Sequence, residues 1–247
     1  MLWRKKSYTG NSGILCASGP DAGGRPFRRH ICRRRRVYAG ALAFFLAAAT
    51  YLAYRWNVIP HRAYDSAVFG IENIKSSQDR DGDGIDDQTD ILAAARAYTA
   101  TEPRYRSRYY EGGYPDDCYG VCTDVVAFAL RDAGFDLMTL VDADVRQHPA
   151  DYKIAEPDPN IDFRRVRNLR VYLEHNAISL TTDLSEIAQW QGGDIVVFRR
   201  HIGIVSDRRN KKGIPFVIHN ANPLQCGYEE DILETWGEIV GHYRISE

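Results

Sequence analysis

Cysteine is scarce in this chain of 247 residues, and what there is lies scattered at Cys16, Cys32, Cys118, Cys122 and Cys226. Those spacings exclude a disulfide-stapled miniprotein and give no recognisable zinc-ligand set. A net charge of one sign is also lacking, since 32 basic and 33 acidic residues leave a formal total of −1. That balance conceals an asymmetry. Residues 1–36 hold about ten of the basic residues and one acid, so the remainder is moderately acidic. No nucleic-acid surface is expected on it. Long uncharged apolar runs are missing as well, with one exception. The length and the apolar share of 44% suit one ordinary globular domain with additional segments.

The exception runs from Val37 to Tyr54, without a single charge. As a helix it would span roughly 27 Å, close to the hydrocarbon thickness of a bilayer. Arg33-Arg34-Arg35-Arg36 precede it, and tyrosines and Trp56 gather at its far end, where an interfacial belt is expected. The pattern predicts a membrane anchor across residues 37–55. Residues 1–36 then form a disordered basic cytoplasmic tail, and everything after Arg55 lies outside the cytoplasm. A second reading is a cleaved signal peptide, because Ala47-Ala48-Ala49 offers small residues for processing. The first reading gives a single-pass membrane protein and the second a secreted one, in the same compartment.

Residues 56–78 read as a linker containing a short amphipathic helix around Ala63–Lys75. Next comes Asp79-Arg80-Asp81-Gly82-Asp83-Gly84-Ile85-Asp86-Asp87-Gln88-Thr89-Asp90. A calcium loop needs oxygen ligands at positions 1, 3, 5, 9 and 12, a backbone carbonyl at 7 and glycine at 6. Asp79, Asp81, Asp83, Ile85, Asp87 and Asp90 fill those positions, with Asp90 where glutamate is commoner and Asp86 at a usually apolar one. The spacing resembles the loops of dockerin and EF-hand proteins. The expected ion is structural, and no catalytic cofactor is expected. The alternative is a solvated acidic turn that caps the following helix.

Residues 91–247 form the main domain. Ile91–Tyr98 is predicted helical, and the Tyr-, Arg- and Gly-rich stretch Arg104–Cys118 is a loop. Gly120-Val121-Cys122-Thr123-Asp124-Val125-Val126 then passes from a turn into an apolar run at helical spacing, which puts Cys122 at a helix N-terminus. There the macrodipole and unpaired N–H groups are expected to lower the thiol pKa and make the thiolate available. A second helix is predicted over Phe135–Arg146 and a third from Asp162 to His175. The last third is β. Ile195–Phe198, His201–Val205, Phe216–Asn220 and Gly241–Ile245 read as strands. If Ser206 pairs with Ile214, His201 faces His219 across the hairpin. A one-residue slip puts Asn220 there instead.

A cysteine on a helix followed by a sheet carrying histidine and a second polar group is the papain-like arrangement. In it the strand histidine takes the thiol proton and the third group orients the imidazole. Cys122, His201 and His219 are the candidate set, with Asn220 as a substitute for the last. The text also resembles the NlpC/P60 superfamily of cell-wall cysteine peptidases. The resemblance rests on Gly120-Val121-Cys122-Thr123-Asp124, on Gly193-Asp194-Ile195-Val196-Val197-Phe198 with His201-Ile202-Gly203-Ile204-Val205, and on Val217-Ile218-His219-Asn220. Over residues from about 90 to 245 the chain more closely resembles the family catalogued as domain of unknown function 1287. The carrying text includes Gly113-Tyr114-Pro115, Asn160-Ile161-Asp162-Phe163-Arg164-Arg165-Val166-Arg167-Asn168-Leu169 and Gly241-His242-Tyr243-Arg244.

The resemblance implies an α+β, papain-like NlpC/P60-type fold with the nucleophile helix on a small antiparallel sheet. The likeness to domain of unknown function 1287 brings no established activity; the Cys/His/His set on helix and strands is what leads to the expectation of a thiol hydrolase acting on peptidoglycan or wall peptides. Asp124 stands where those peptidases carry a small Ser-Gly pair. That departure leaves open a non-catalytic wall-binding or scaffold module on the same groove, and acyl transfer on lipids is a third option. Around the site, Tyr114, Asp124, Arg164, Arg165 and Asn220 are candidates for substrate contact. Cys118 and Cys226 could pair in an oxidising compartment.

Overall fold

The structure is a computed structural model that describes residues 27–246. The chain divides into two compact units, residues 1–49 and 50–247. In the first lies most of helix α1 (Phe27–Arg55). Its segment Val37–Arg55 is long and apolar enough to cross a membrane. The disordered tail expected over residues 1–36 lies outside the described residues as far as residue 26, and from Phe27 onward the chain is helical.

The second unit is α+β. Its elements in order are β1 (Tyr64–Asp65), α2 (Asp87–Thr99), β2 (Arg104–Tyr105), β3 (Tyr119–Gly120), α3 (Cys122–Asp132), α4 (Leu137–Gln147) and the single turns α5 (Pro149–Tyr152) and α6 (Pro159–Asp162). Then follow α7 (Val166–Asn176), β4 (Ile178–Ser179), β5 (Ile195–Phe198), β6 (His201–Arg209), β7 (Pro215–Ile218), β8 (Glu229–Glu230) and β9 (Ile239–Arg244). The sheet runs β4-β9-β5-β6-β7-β8, with β1 pairing to the end of β6, and every pairing in it is antiparallel. β2 and β3 form a separate parallel bridge.

The central strand β5, Ile195-Val196-Val197-Phe198, is buried on both faces, which accounts for its unbroken apolar text. Ile195 and Val197 join α2, α3, α4 and α7 in the larger core. Val196 and Phe198 pack on the other face with Trp190, Val205 and Val217. Helix α3 lies against α2 and β6. It buries Val125, Val126, Ala129 and Leu130, and ends at Gly134, whose φ of +81° suits a left-handed helix stop.

Asp194 knots the sheet to the helices. Fully buried, it accepts the Gln191 backbone N–H (2.8 Å), the Gln88 amide of α2 (2.9 Å) and both arms of Arg244 on β9 (2.8 and 3.0 Å). Its Oδ2 lies 3.0 Å from His242 Nε2.

Three sequence expectations change. Residues 63–75 hold no amphipathic helix. Tyr64–Asp65 pairs with β6, only Ser66–Phe69 makes a 3-10 turn, and Gly70 ends it in the left-handed region. The third helix starts later than Asp162, because the backbone at Arg165 is extended and α7 begins at Val166. The hairpin register is Ile204↔Ile218 and Arg209↔Pro215, with an irregularity between Val205 and Arg209. Continuing it, Gly203 rather than His201 stands opposite His219. His201 lies two residues along on the same pleat face, so the imidazoles meet diagonally.

Asp194→Ala strands several buried donors at once. The expected loss is about 3–5 kcal/mol of stability, read as a lower urea midpoint at unchanged slope. A loss under about 1 kcal/mol would contradict the role given to this carboxylate.

Candidate active site

Two buried polar side chains hold the backbone that delivers Cys122. Val121 is extended, and Cys122 is the first helical residue of α3. Asp124, three residues past Val121, turns back and accepts the Val121 N–H at 2.8 Å, satisfying one orphan donor of the helix start. The same carboxylate takes both arms of Arg164, at 2.6 Å from Nε and 2.9 Å from Nη2. Asn220 donates from Nδ2 to the carbonyls of Gly120 (3.2 Å) and Pro103 (2.8 Å).

The opposing wall comes from the hairpin. His201 opens β6 and His219 follows β7. His201 Nε2 and His219 Nδ1 share a hydrogen bond of 2.9 Å. Gly203 makes this approach possible, since a Cβ there would sit 2.5 Å from Val217 Cγ1 and 2.9 Å from the Ile218 carbonyl oxygen. His219 Nε2 makes no hydrogen bond and lies 3.3 Å from Glu230 Oε2 on β8. The Trp236 ring covers both imidazoles, with centroids 4.8 Å from His201 and 5.4 Å from His219. With Nε2 bonded to His219, Nδ1 is the ring nitrogen of His201 without a hydrogen bond among the described residues, and His201 lines the cleft.

Cys122 and His201 line one open cleft of about 310 Å³, together with Tyr105, Arg200 and Trp236. No hydrogen bond joins the Cys122 sulfur to His201 among the described residues. Burial sets the charge states of the cleft. It pushes the Cys122 thiol up to about 11 against the opposing pull of the Ile202 backbone N–H, and the nearby Asp124 charge adds to the rise. The lowered thiol pKa expected from the helix terminus is therefore corrected. Loss of solvation outweighs the macrodipole, which acts only over the first turn. Burial depresses His201 and His219 to about 3, and for His201 its histidine neighbour adds to the effect. Burial raises Glu230 to about 7. Thiol and both imidazoles are neutral across the physiological range.

The structure brings Cys122, His201 and His219 together, but it sends the candidate substrate contacts elsewhere. Asp124 and Arg164 are buried and consumed by each other. Tyr114 is packed against Phe128 and Phe163, with its hydroxyl on Asp136. Asn220 is buried and committed to the two carbonyls that precede α3. Arg165 lines a different cleft, beside Glu156 and Asp158. Cys118 and Cys226 are unpaired, exposed thiols. Sequence reasoning missed Glu230, Trp236 and Arg200. Adjacent acids at 229–230 beside the return strand were a signal for the first. The other two lie in loops without periodicity.

Residues 92–245 match the model of a family described as domain of unknown function (DUF1287). An uncharacterized protein of Escherichia coli (strain K12), YijF, is 40% identical over 152 residues, which is 58% of this chain and 72% of that relative. No solved structure matches.

These charge states predict slow alkylation of the nucleophile candidate. At pH 7.5 iodoacetamide should modify Cys122 at least roughly tenfold more slowly than an unperturbed exposed thiol, because the thiolate is rarer by more than its higher nucleophilicity restores. The rate should climb with pH toward about 11. Peptide mass spectrometry of Cys118, Cys122 and Cys226 gives the comparison. Fastest labelling at Cys122 would mean a preformed thiolate and contradict the reading.

Proposed function

We propose that this chain, which belongs to the DUF1287 family, is a thiol hydrolase that cleaves amide bonds in cell-wall peptides. A papain-like, NlpC/P60-type arrangement is part of the proposal. The observation that carries it is the shared cleft: Cys122 on one wall, and on the other His201, whose far nitrogen is tied to His219.

The hydrogen-bond chain gives His201 the tautomer a general base needs. With Glu230 ionised, His219 Nε2–H faces Glu230 Oε2, and His219 Nδ1 then accepts the proton of His201 Nε2. His201 Nδ1 is left with a lone pair toward the cleft. In the reaction Cys122 sulfur adds to the amide carbonyl carbon as its proton passes to His201 Nδ1. The C–N bond then breaks, and His201 returns that proton to the leaving amine. Water, giving its proton to His201, adds to the thioester carbonyl. The C–S bond breaks and the sulfur regains its proton. N–H groups at the start of α3 would stabilise the oxyanion. Because thiol and imidazole rest neutral, attack and proton transfer are coupled, and the missing sulfur–imidazole hydrogen bond forms only as substrate closes the cleft. Arg200, on the cleft rim without an acidic partner among the described residues, suits a carboxylate-bearing peptide. The apolar segment Val37–Arg55 would hold the domain at the membrane facing the wall, with residues before it in the cytoplasm.

Two features favour a second reading. The high thiol pKa and the absence of a sulfur–imidazole bond are what a catalytically silent wall-binding module on the same groove would show.

Digestion of purified muropeptides by the full-length protein in detergent separates the two. Hydrolysis by the wild type that falls at least about a thousandfold in Cys122→Ala supports the enzyme. Equal turnover in the variant, or wall binding without turnover in either, overturns it. Glu230 orients His219 as a carboxylate, so kcat/KM should fall as pH drops below about 7. Glu230→Gln, which cannot titrate, should lack that limb. An unchanged limb would remove Glu230 from the relay.

A further inference from the structure

The segment Asp79–Asp90 lies ahead of the family match and takes no part in the cleft. We infer that it binds a calcium ion that locks the start of α2 against the end of α3. Carboxylate oxygens of Asp79, Asp81 and Asp83 all come within 4.8 Å of one another in the exposed loop. Acidic clusters of this kind are common without an ion, and a further observation decides the matter. Asp87, at position 9 of the loop, is 3% exposed, and its Oδ2 is buried with no hydrogen-bond partner. The other oxygen of that carboxylate accepts the Arg80 N–H at 2.7 Å, which turns the group back onto the loop. A buried, unpartnered carboxylate oxygen is costly, and a hard cation is the ligand that removes the cost.

The rest of the loop agrees. Gly82 and Gly84 take positive φ of 77° and 94°, letting the chain wind tightly around its centre. The carboxylates of Asp79, Asp81 and Asp83 are already gathered, and the loop spacing offers Asp87, Asp90 and the Ile85 carbonyl as the remaining oxygen positions. That number and chemistry fit calcium better than magnesium, which demands rigid octahedral geometry.

The loop docks on both helices it would tie. Asp86 caps α2 by accepting the Thr89 N–H at 3.2 Å. Arg80 donates from Nε to the Gly134 carbonyl at 2.9 Å, and its guanidinium lies 4.5 Å from the Phe135 ring centroid, just past α3. An ion there would stabilise the α2–α3 pair, and this inference does not depend on the hydrolase reading.

The test is calorimetric titration of calcium chloride into the full-length protein in detergent, after stripping with EGTA. The expected result is one site in the wild type and a rise in Tm of about 5 °C at calcium a hundredfold above its dissociation constant. Asp83→Asn, a mild change, should weaken binding at least tenfold, and Asp81→Ala/Asp83→Ala should abolish both heat and Tm shift. No heat and no Tm shift in the wild type would overturn the inference, whatever the variants do. So would undiminished binding in Asp83→Asn.

Discussion

The buried carboxylate of Asp124 is the constraint on which the site depends. It does two jobs with two oxygens, holding the Val121 N–H ahead of α3 and receiving the fork of Arg164. A charge this deep is tolerated only when paired and hydrogen-bonded, so removing either Arg164 or Asp124 alone leaves the other's charge buried and unpaired. Arg164 also donates to the Arg108 carbonyl at 2.7 Å, which carries the restraint into the loop before the nucleophile. The result is a helix whose first residue, Cys122, has a fixed backbone position on one wall of the cleft. Asp124, where the sequence departs from the peptidase pattern it resembles, is thus what anchors the backbone ahead of Cys122.

A second constraint comes from water exclusion. The larger core closes around α3 and the β6–β7 hairpin, and Trp236 lies over the imidazoles. The same burial that fixes their orientation strips them of charge. A buried thiol rises, buried imidazoles fall, and the ion pair that would be stable in a wetter groove does not form. In the proposed reaction, proton transfer would then be driven by a substrate that brings its own polar groups into the cleft. Glu230, 3.3 Å from His219, would in the proposed reaction set the tautomer rather than the charge.

Much of this was legible in the sequence because periodicity and turn residues encode it. Val121, Val125, Val126, Ala129 and Leu130 announce α3, and alternation in His201–Val205 announces β6. Their shared cleft follows from helix and strand packing on one core. The sequence signals failed where chemistry is settled by three-dimensional surroundings. Nothing local tells that Arg164 is swallowed by Asp124 while Arg200 is left on the rim. The hairpin register escaped because the irregularity between Val205 and Arg209 lets β6 run four residues past the alternating segment. The expected helix near residue 63 failed because Tyr64 and Asp65 find partners on a strand more than a hundred residues away, and local amphipathicity cannot anticipate that. The thiol pKa failed for a related reason: a helix terminus is visible in sequence, whereas its desolvation is not.

The central claim is geometric: one ring nitrogen of His201 faces the Cys122 sulfur while the other is held by His219. Long-range ¹H–¹⁵N spectra of the histidine side chains report each ring nitrogen separately, before and after Cys122 is carbamidomethylated at high pH. The account predicts that His201 Nδ1 moves most on modification, that His201 Nε2 keeps the signature of a proton shared with His219, and that His242, held on β9 by Asp194 and the Thr181 carbonyl, is unaffected. A His201 ring indifferent to modification of Cys122 would contradict it.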